Sequence, residues 1–279
     1  MNGTDVVVGI DGTPACGATL QWAADEAARS DARLRVVVAF PGDDQDDRSA
    51  AVAAAEAAAA VVRGYRPGLD ATGSAVPGDP ATVLQAMAAD AALVVVGSRG
   101  HTALSAALGS GSGTRVALRA PGCIAVVRGR AGAAGPVVVG LDGSPTDNRL
   151  LATAFEHAAR RGCEVVAVRV LNPLAVPWGG VGIAAMMPGP VSDRATVLAE
   201  LTDDVGRWHE KYPTVPATAR VPIGEPTSVL LDASGEAQLL VLGGRAHGPA
   251  AALLAGSVVQ RLLFHAECPL LIAHGERDA

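Results

Sequence analysis

Two aspartates that follow apolar runs are the first candidates for chemistry in this sequence. Asp11 follows Val-Val-Val-Gly-Ile, and Asp142 follows Val-Val-Val-Gly-Leu. A glycine and then Thr-Pro or Ser-Pro come after each aspartate. An Asp-Gly pair can be simple turn chemistry, whereas a carboxylate opposite a glycine-rich loop can also contact a ligand. Both interpretations remain open at this stage.

A glycine-rich loop follows a later apolar run in each half of the chain. The first begins with Gly97-Ser-Arg-Gly and ends in Ser-Gly-Ser-Gly from Ser110. The second begins with Gly-Gly-Arg-Ala from Gly243 and ends in Gly-Ser from Gly256. Glycine lets the backbone approach a ligand closely, and a following helix N-terminus offers N–H groups to an anion. Phosphate is the ligand that this pattern favours.

Arginine and histidine recur at matching places in the two loops. Arg99 corresponds to Arg245, and His101 corresponds to His247. A guanidinium can meet phosphate charge, although surface arginines are ordinary and a duplication also copies ordinary residues. These four residues are therefore candidates for ligand contact more than for catalysis.

An internal repeat connects these features. Asp142 stands 131 residues after Asp11, whereas Gly243 stands 146 residues after Gly97. The second copy therefore holds an insertion, which we place at 172–190. We predict one domain over 1–130 and a second over 136–279, joined by a short Gly/Ala-rich connection.

Each copy alternates short β-branched runs with longer amphipathic segments, which predicts strands separated by helices. The fold class predicted is α/β, with two doubly wound five-stranded parallel-sheet domains in tandem and strand order 3-2-1-4-5. In that order the carboxyl ends of strands one and four flank the ligand crevice. Thr13 and Ser144 are predicted as N-caps, with proline at the first helical position.

Composition narrows the class of function. The net charge of −6 argues against binding a nucleic-acid backbone or anionic lipid. No apolar run approaches the length of a membrane span, and no signal peptide is visible, so the cytoplasm is the expected location. The four cysteines show no metal-ligand spacing. The P-loop and dinucleotide fingerprints are absent, and no nucleophile and base recur together, so no enzyme and no catalytic residue are predicted.

The doubled Val-Gly-Ile-Asp-Gly-Thr-Pro, Val-Val-Gly-Ser-Arg-Gly-His and Leu-Ala-Gly-Ser-Val-Val-Gln segments resemble the universal stress protein family over nearly the whole chain. The resemblance implies a Rossmann-like domain of the adenine nucleotide alpha hydrolase type. It also implies ATP binding with Mg²⁺ or Mn²⁺ on the phosphates, a stress-response regulatory role and a protein partner. Family members pair through the last strand, so the resemblance implies that the two halves mimic such a dimer within one chain and that two chains associate further as a homodimer.

The resemblance also assigns ligand contacts. The aspartates would lie near ribose and adenine, the backbone near Ala39 and Val170 against the base, and the glycine loops over the phosphates. The cofactor-binding residues predicted are Gly9, Asp11, Ala39, Gly97, Arg99, Gly100, His101, Gly109, Ser110, Gly111 and Ser112 in the first copy, and Gly140, Asp142, Val170, Gly243, Arg245, Ala246, His247, Gly256 and Ser257 in the second. No metal ligand is assigned to the protein.

Each copy departs once from the family motif G-x2-G-x9-G-[S/T]. The first has Ser110-Gly111 in place of Gly-Ser, and the second has Ala246 in place of the second glycine. Two alternatives therefore accompany ATP-dependent regulation. One is a nucleotide hydrolase or nucleotidyl-transfer enzyme that uses Asp11, His101 and a metal. The other is a ligand-free module whose last strands, Ile124–Val127 and Leu270–Ala273, pair the two copies.

Overall fold

A computed structural model describes residues 5–13, 16–40, 42, 44–97, 120–172, 193–244 and 258–274. The chain divides into two compact units. Unit 1 comprises Met1–Ala133 together with Ala266–Ala279, and unit 2 comprises Ala134–His265. The predicted insertion at 172–190 lies, apart from residue 172, outside the described residues.

Unit 1 is an α/β sheet whose strands alternate with helices. Its elements are β1 Asp5–Ile10, α1 Gly17–Arg29, β2 Arg33–Phe40, α2 Gln45–Tyr65, β3 Ala71–Pro77, α3 Pro80–Met87, β4 Leu93–Gly97 and β5 Cys123–Val127. The strand order is β3-β2-β1-β4-β5, and all four pairings in this run are parallel. The predicted 3-2-1-4-5 order is confirmed.

The apolar runs become the central strands because helices cover both of their faces. Val8, Val36 and Val95 are fully buried, as expected of parallel strands buried on both sides. Gly73 in β3 brings α2 close, since a Cβ at position 73 would lie 2.5 Å from the Ala55 carbonyl. This close packing holds the strands that carry the candidate site.

Unit 2 repeats the same arrangement. Its elements are β6 Val137–Leu141, α4 Asp147–Arg161, β7 Val165–Arg169, α5 Arg194–Lys211, β8 Ala217–Arg220, α6 Pro226–Ser234, β9 Leu239–Gly243 and α7 at 258–265. The order β9-β6-β7-β8 is parallel throughout and matches strands 4-1-2-3 of the prediction. None of the described helices is long and apolar enough to cross a bilayer.

The strand β10, Leu270–Ala273, completes unit 1 although it belongs to the second repeat by sequence. It pairs antiparallel with β5, and Leu271 lies opposite Ala125. Gly129 adopts φ +56 where the backbone of Glu267 passes, a conformation that favours glycine. The last strands of the two repeats therefore pair with each other. Because this pair is antiparallel, it departs from the predicted all-parallel sheet. The repeat boundaries 1–130 and 136–279 stay a prediction.

The helix starts differ from the sequence prediction. Helix α1 begins at Gly17 and α4 at Asp147, so Thr13, Ser144 and Pro145 lie before the first helical turn. Their predicted roles as N-caps and first helical residue are wrong. The reason lies in Asp11 and Asp142, whose carboxylates hold the intervening residues in a turn.

Candidate functional site

The carboxyl ends of β1 and β4 lie side by side in unit 1. Gly9 of β1 is in register with Val96 of β4, and Asp11 and Gly97 follow these two residues at the same edge. β2 lies on the other side of β1, so the strand order reverses at β1. Ligands in open parallel sheets bind at such a reversal, which makes this edge the candidate site.

The Asp11 carboxylate organises the turn that follows β1. Its Oδ1 accepts hydrogen bonds from the Thr13 backbone N–H at 3.0 Å and the Thr13 hydroxyl at 2.7 Å. Gly12 between them has φ +74, which favours glycine. The turn interpretation of Asp-Gly is therefore correct for this loop, and the same carboxylate lies beside the strand reversal.

An open apolar hollow lies next to this turn. It is formed by the ends of β1, β2 and β4 and by the start of α3, and its lining residues are Gly9, Ile10, Val37, Ala39, Pro80, Leu84 and Val96. Gly9 and Ala39, two of the predicted cofactor-binding residues, thus share one surface with side chains that were not predicted from the sequence. A flat apolar ligand suits this lining because it contains only aliphatic side chains and backbone.

The corresponding turn in unit 2 is held by two aspartates. Asp142 Oδ1 accepts from the Ser144 N–H at 3.0 Å, as Asp11 does in unit 1. In addition, the Asp147 carboxylate accepts from the Gly143 N–H at 2.8 Å and the Asp142 N–H at 3.3 Å. Burial and, to a smaller extent, the Asp142 charge outweigh these backbone hydrogen bonds and raise the pKa of Asp147 to about 6.

Arg169 covers the same turn from the end of β7. Its guanidinium lies against Gly143, where a Cβ would be 2.5 Å from Cζ. Its Nη1 is also 3.6 Å from the Glu200 carboxylate of α5. Gly143 has φ +84, so both backbone conformation and the arginine require glycine there.

Unit 1 has Cys16 at the position equivalent to Asp147 and Val38 at the position equivalent to Arg169. Burial raises the pKa of the Cys16 thiol, as does the nearby Asp11 charge, so this thiol is a weak nucleophile at neutral pH. Within the described ranges, no three His, Cys, Asp or Glu side chains gather to hold a metal ion. Asp147 and Arg169 are the residues that the sequence reasoning missed, and the signal was a break in the repeat at both positions.

The remaining predicted residues divide into two groups. Gly97 is buried at the end of β4, Gly140 lies in β6, Gly243 ends β9 and Val170 directly follows β7. The other group lies outside the described residues and consists of Arg99, Gly100, His101, Gly109, Ser110, Gly111, Ser112, Arg245, Ala246, His247, Gly256 and Ser257.

A further repeated segment, Gly-Asp-Pro from Gly78 and Gly-Glu-Pro from Gly224, caps a helix in each unit. Asp79 accepts from the Thr82 N–H and hydroxyl at the start of α3. Glu225 accepts four hydrogen bonds at the start of α6, from the N–H and hydroxyl groups of Thr227 and Ser228. Burial opposes ionisation of Glu225, but these four bonds outweigh it and lower its pKa to about 2. The Gly-Asp-Pro and Gly-Glu-Pro repeats therefore position α3 and α6 beside the candidate sites.

Comparison with known proteins agrees with this doubled architecture. The universal stress protein family matches residues 4–128 and 134–274. The chain belongs to this family. A universal stress protein of Mycolicibacterium smegmatis is 31% identical to it over 288 residues, which cover 96% of each protein.

A full-length solved universal stress protein shares the fold. It comes from Archaeoglobus fulgidus, has a TM-score of 0.70 at 15% identity and covers 100% of this chain and 98% of its own. A shorter Archaeoglobus fulgidus universal stress protein was solved in complex with dAMP. It covers 50% of this chain and 98% of its own, with 21% identity and a TM-score of 0.36.

Proposed function

We propose that this universal stress protein binds an adenine nucleotide, ATP with Mg²⁺ or Mn²⁺, and acts as a nucleotide-dependent regulator of a stress response. The observation that carries the proposal is the apolar hollow beside Asp11 where the strand order of unit 1 reverses. The proposal includes little or no hydrolysis, so it assigns no catalytic residue.

The described residues of unit 1 fit the nucleoside part of such a ligand. Val37, Ala39 and Val96 offer aliphatic surface for the faces of an adenine ring. Asp11 directly follows Ile10, which lines the hollow, and in this proposal its carboxylate accepts a hydrogen bond from a ribose hydroxyl. Binding sites of this kind combine an apolar wall with a few well-placed polar groups.

The phosphates belong at the end of β4. Gly97 is buried there without a side chain, so the backbone can approach an anion. The predicted phosphate residues Gly100, Ser110 and Gly111 follow it in sequence. A bound divalent ion would neutralise phosphate charge, with its ligands drawn from phosphate oxygens and water.

The experiment uses the full chain as purified. Denaturing it and identifying the released small molecules by mass spectrometry should reveal an adenine nucleotide, and calorimetry of stripped protein should show MgATP binding. Absence of both would overturn the proposal. Turnover of bound ATP at a rate typical of dedicated hydrolases, about 1 s⁻¹ or more, would favour the enzyme alternative instead.

A cytoplasmic location, a protein partner and a homodimer complete the proposal and rest on family resemblance. Light scattering of the purified protein tests the homodimer directly. A mass of one chain, with and without MgATP, would remove the homodimer from the proposal and leave nucleotide binding in place.

A further inference from the structure

We infer that the two repeats have different ligand specificity: unit 1 accepts the adenine base and unit 2 does not, so each chain binds one nucleotide. This inference rests on the proposed function and adds its stoichiometry and the residues that determine it. Three differences between equivalent positions of the two units support it.

The first difference is which side chains lie nearest the central glycine. A Cβ on Gly9 would meet Leu84 alone among its three nearest atoms, at 2.7 to 3.3 Å. A Cβ on Gly140 would meet Leu242 Cδ2 at 2.9 Å and both terminal carbons of Leu230 at 3.3 Å. Leu230 is the equivalent of Leu84, so the neighbour that differs at Gly140 is Leu242, which stands where unit 1 has Val96.

The second difference is the size of two lining side chains. Leu242 occupies the position of Val96, and Val170 occupies the position of Ala39. The unit 2 surface therefore carries one extra carbon from the first replacement and two from the second. Three added carbons leave less room on the apolar surface where a flat ring would lie, and overpacking of this kind is unfavourable, so the inference assigns exclusion of the base to these two replacements.

The third difference is the backbone of the adjoining turn. In unit 2 the Gly143 N–H donates to Asp147, and Arg169 lies over the same glycine. In unit 1 no described residue accepts from the Gly12 N–H, because Cys16 replaces the aspartate. The unit 2 turn thus holds an internal carboxylate in a place where a ligand oxygen could otherwise bind.

Calorimetry of MgATP binding to stripped full-length protein tests the inference. The expected result for the unmodified chain is one nucleotide per chain. Two nucleotides per chain would overturn the inference and leave the proposed function intact. No binding, together with no released nucleotide, would overturn the proposed function itself.

Matched variants then locate the occupied site. Ala39→Phe places a bulky ring in the hollow of unit 1 and should weaken MgATP binding at least 100-fold, whereas Val170→Phe at the equivalent position should change affinity less than threefold. The reverse pattern would overturn the inference.

A second pair of variants, which carry smaller aliphatic substitutions, controls for misfolding of the phenylalanine variants. Ala39→Val combined with Val96→Leu gives unit 1 the lining of unit 2 and should also weaken binding at least 100-fold. Val170→Ala combined with Leu242→Val should leave the affinity of the first site unchanged. Circular dichroism confirms that each variant is folded, and full affinity in the Ala39→Val, Val96→Leu protein would contradict the assignment.

Discussion

Leu84 of α3 occupies the space that a side chain on Gly9 of β1 would need. Its Cδ1 lies 2.7 Å from the position of a Cβ at residue 9. A real Cβ cannot approach so closely, so Leu84 would have to move, and the open hollow beside it is the available space. The glycine therefore keeps the leucine out of the candidate base site.

Gly9→Ala should weaken MgATP binding by about 10-fold or more and destabilise unit 1 by about 1–3 kcal/mol, as overpacking in cores does. Calorimetry and urea unfolding measure the two effects. Adding Leu84→Ala should relieve the overlap. The double variant should therefore lose less free energy of unfolding than the two single variants lose in sum. Gly64→Ala in α2 is the control, because a Cβ there meets nothing within 4 Å. Strict additivity would show that the two residues do not compete for space.

Asp11→Ala should reduce MgATP affinity by about 10- to 100-fold, the range for losing a hydrogen bond to a charged group. The variant also loses the two bonds from Thr13, so a control is needed for the turn. Thr13→Val removes the hydroxyl donor and leaves the carboxylate in place. We expect its affinity to stay within threefold of the unmodified protein. Equal losses in both variants would mean that Asp11 acts through the turn and not on the ligand.

Glu225→Ala should lower the free energy of unfolding of unit 2 by about 1–2 kcal/mol at pH 7, because an N-cap is lost. The folded pKa of about 2 lies below the ordinary value of 4.5. The stabilisation is therefore fully present above pH 4.5 and declines as the pH falls toward 2. Urea unfolding between pH 6 and 3.5 should show the difference from the unmodified protein shrinking.

Asp79→Ala provides the comparison for this cap in unit 1. It removes two hydrogen bonds where Glu225→Ala removes four, so the loss should be smaller. A pH-independent loss for Glu225→Ala would indicate that its charge contributes nothing to the cap.

Asp147→Asn should gain stability relative to the unmodified protein as the pH rises from 4 to 7. The folded pKa of about 6 lies above the ordinary 3.8, so the folded state binds more protons than the unfolded state between these values. The unmodified protein therefore loses stability across that window and levels off above it, whereas asparagine does not titrate. Urea unfolding of both proteins at pH 4.5, 6 and 7.5 measures the effect.

Asp142→Asn tests the cause of that shift. Removing the neighbouring charge should lower the pKa of Asp147. The fall in the free energy of unfolding with rising pH should therefore end at a lower pH in this variant than in the unmodified protein. An unchanged pH profile would assign the whole shift to burial.

The sequence predicted the fold well because its signal is repeated. The runs at Val6 and Val137 carry the same residues, and the strand order follows from alternation and crossover handedness. The helix starts were predicted wrongly because Thr13 and Ser144 donate to aspartate carboxylates and so form turns. A Thr or Ser before proline can act as a helix N-cap or as a donor to a preceding aspartate in a turn, and residue type alone does not distinguish the two roles.

The candidate site was predicted only in part. Asp11, Gly9 and Ala39 were accessible from the repeat and the family motif. Leu84 was not, because its contact with Gly9 depends on how α3 packs on the sheet. Asp147 and Arg169 depend on a loop conformation that brings them to Gly143, and sequence spacing does not encode that meeting.

The pairing of β10 with β5 also has a consequence for biosynthesis. Leu270 leaves the ribosome 143 residues after Val127, which takes about 7–30 s at typical rates of synthesis. During that interval the outer edge of β5 presents unpaired backbone groups, the kind of edge on which other strands add. Until Leu270 has been made, this strand edge is therefore open to pairing with other strands, and premature termination leaves the earliest-made sheet unfinished.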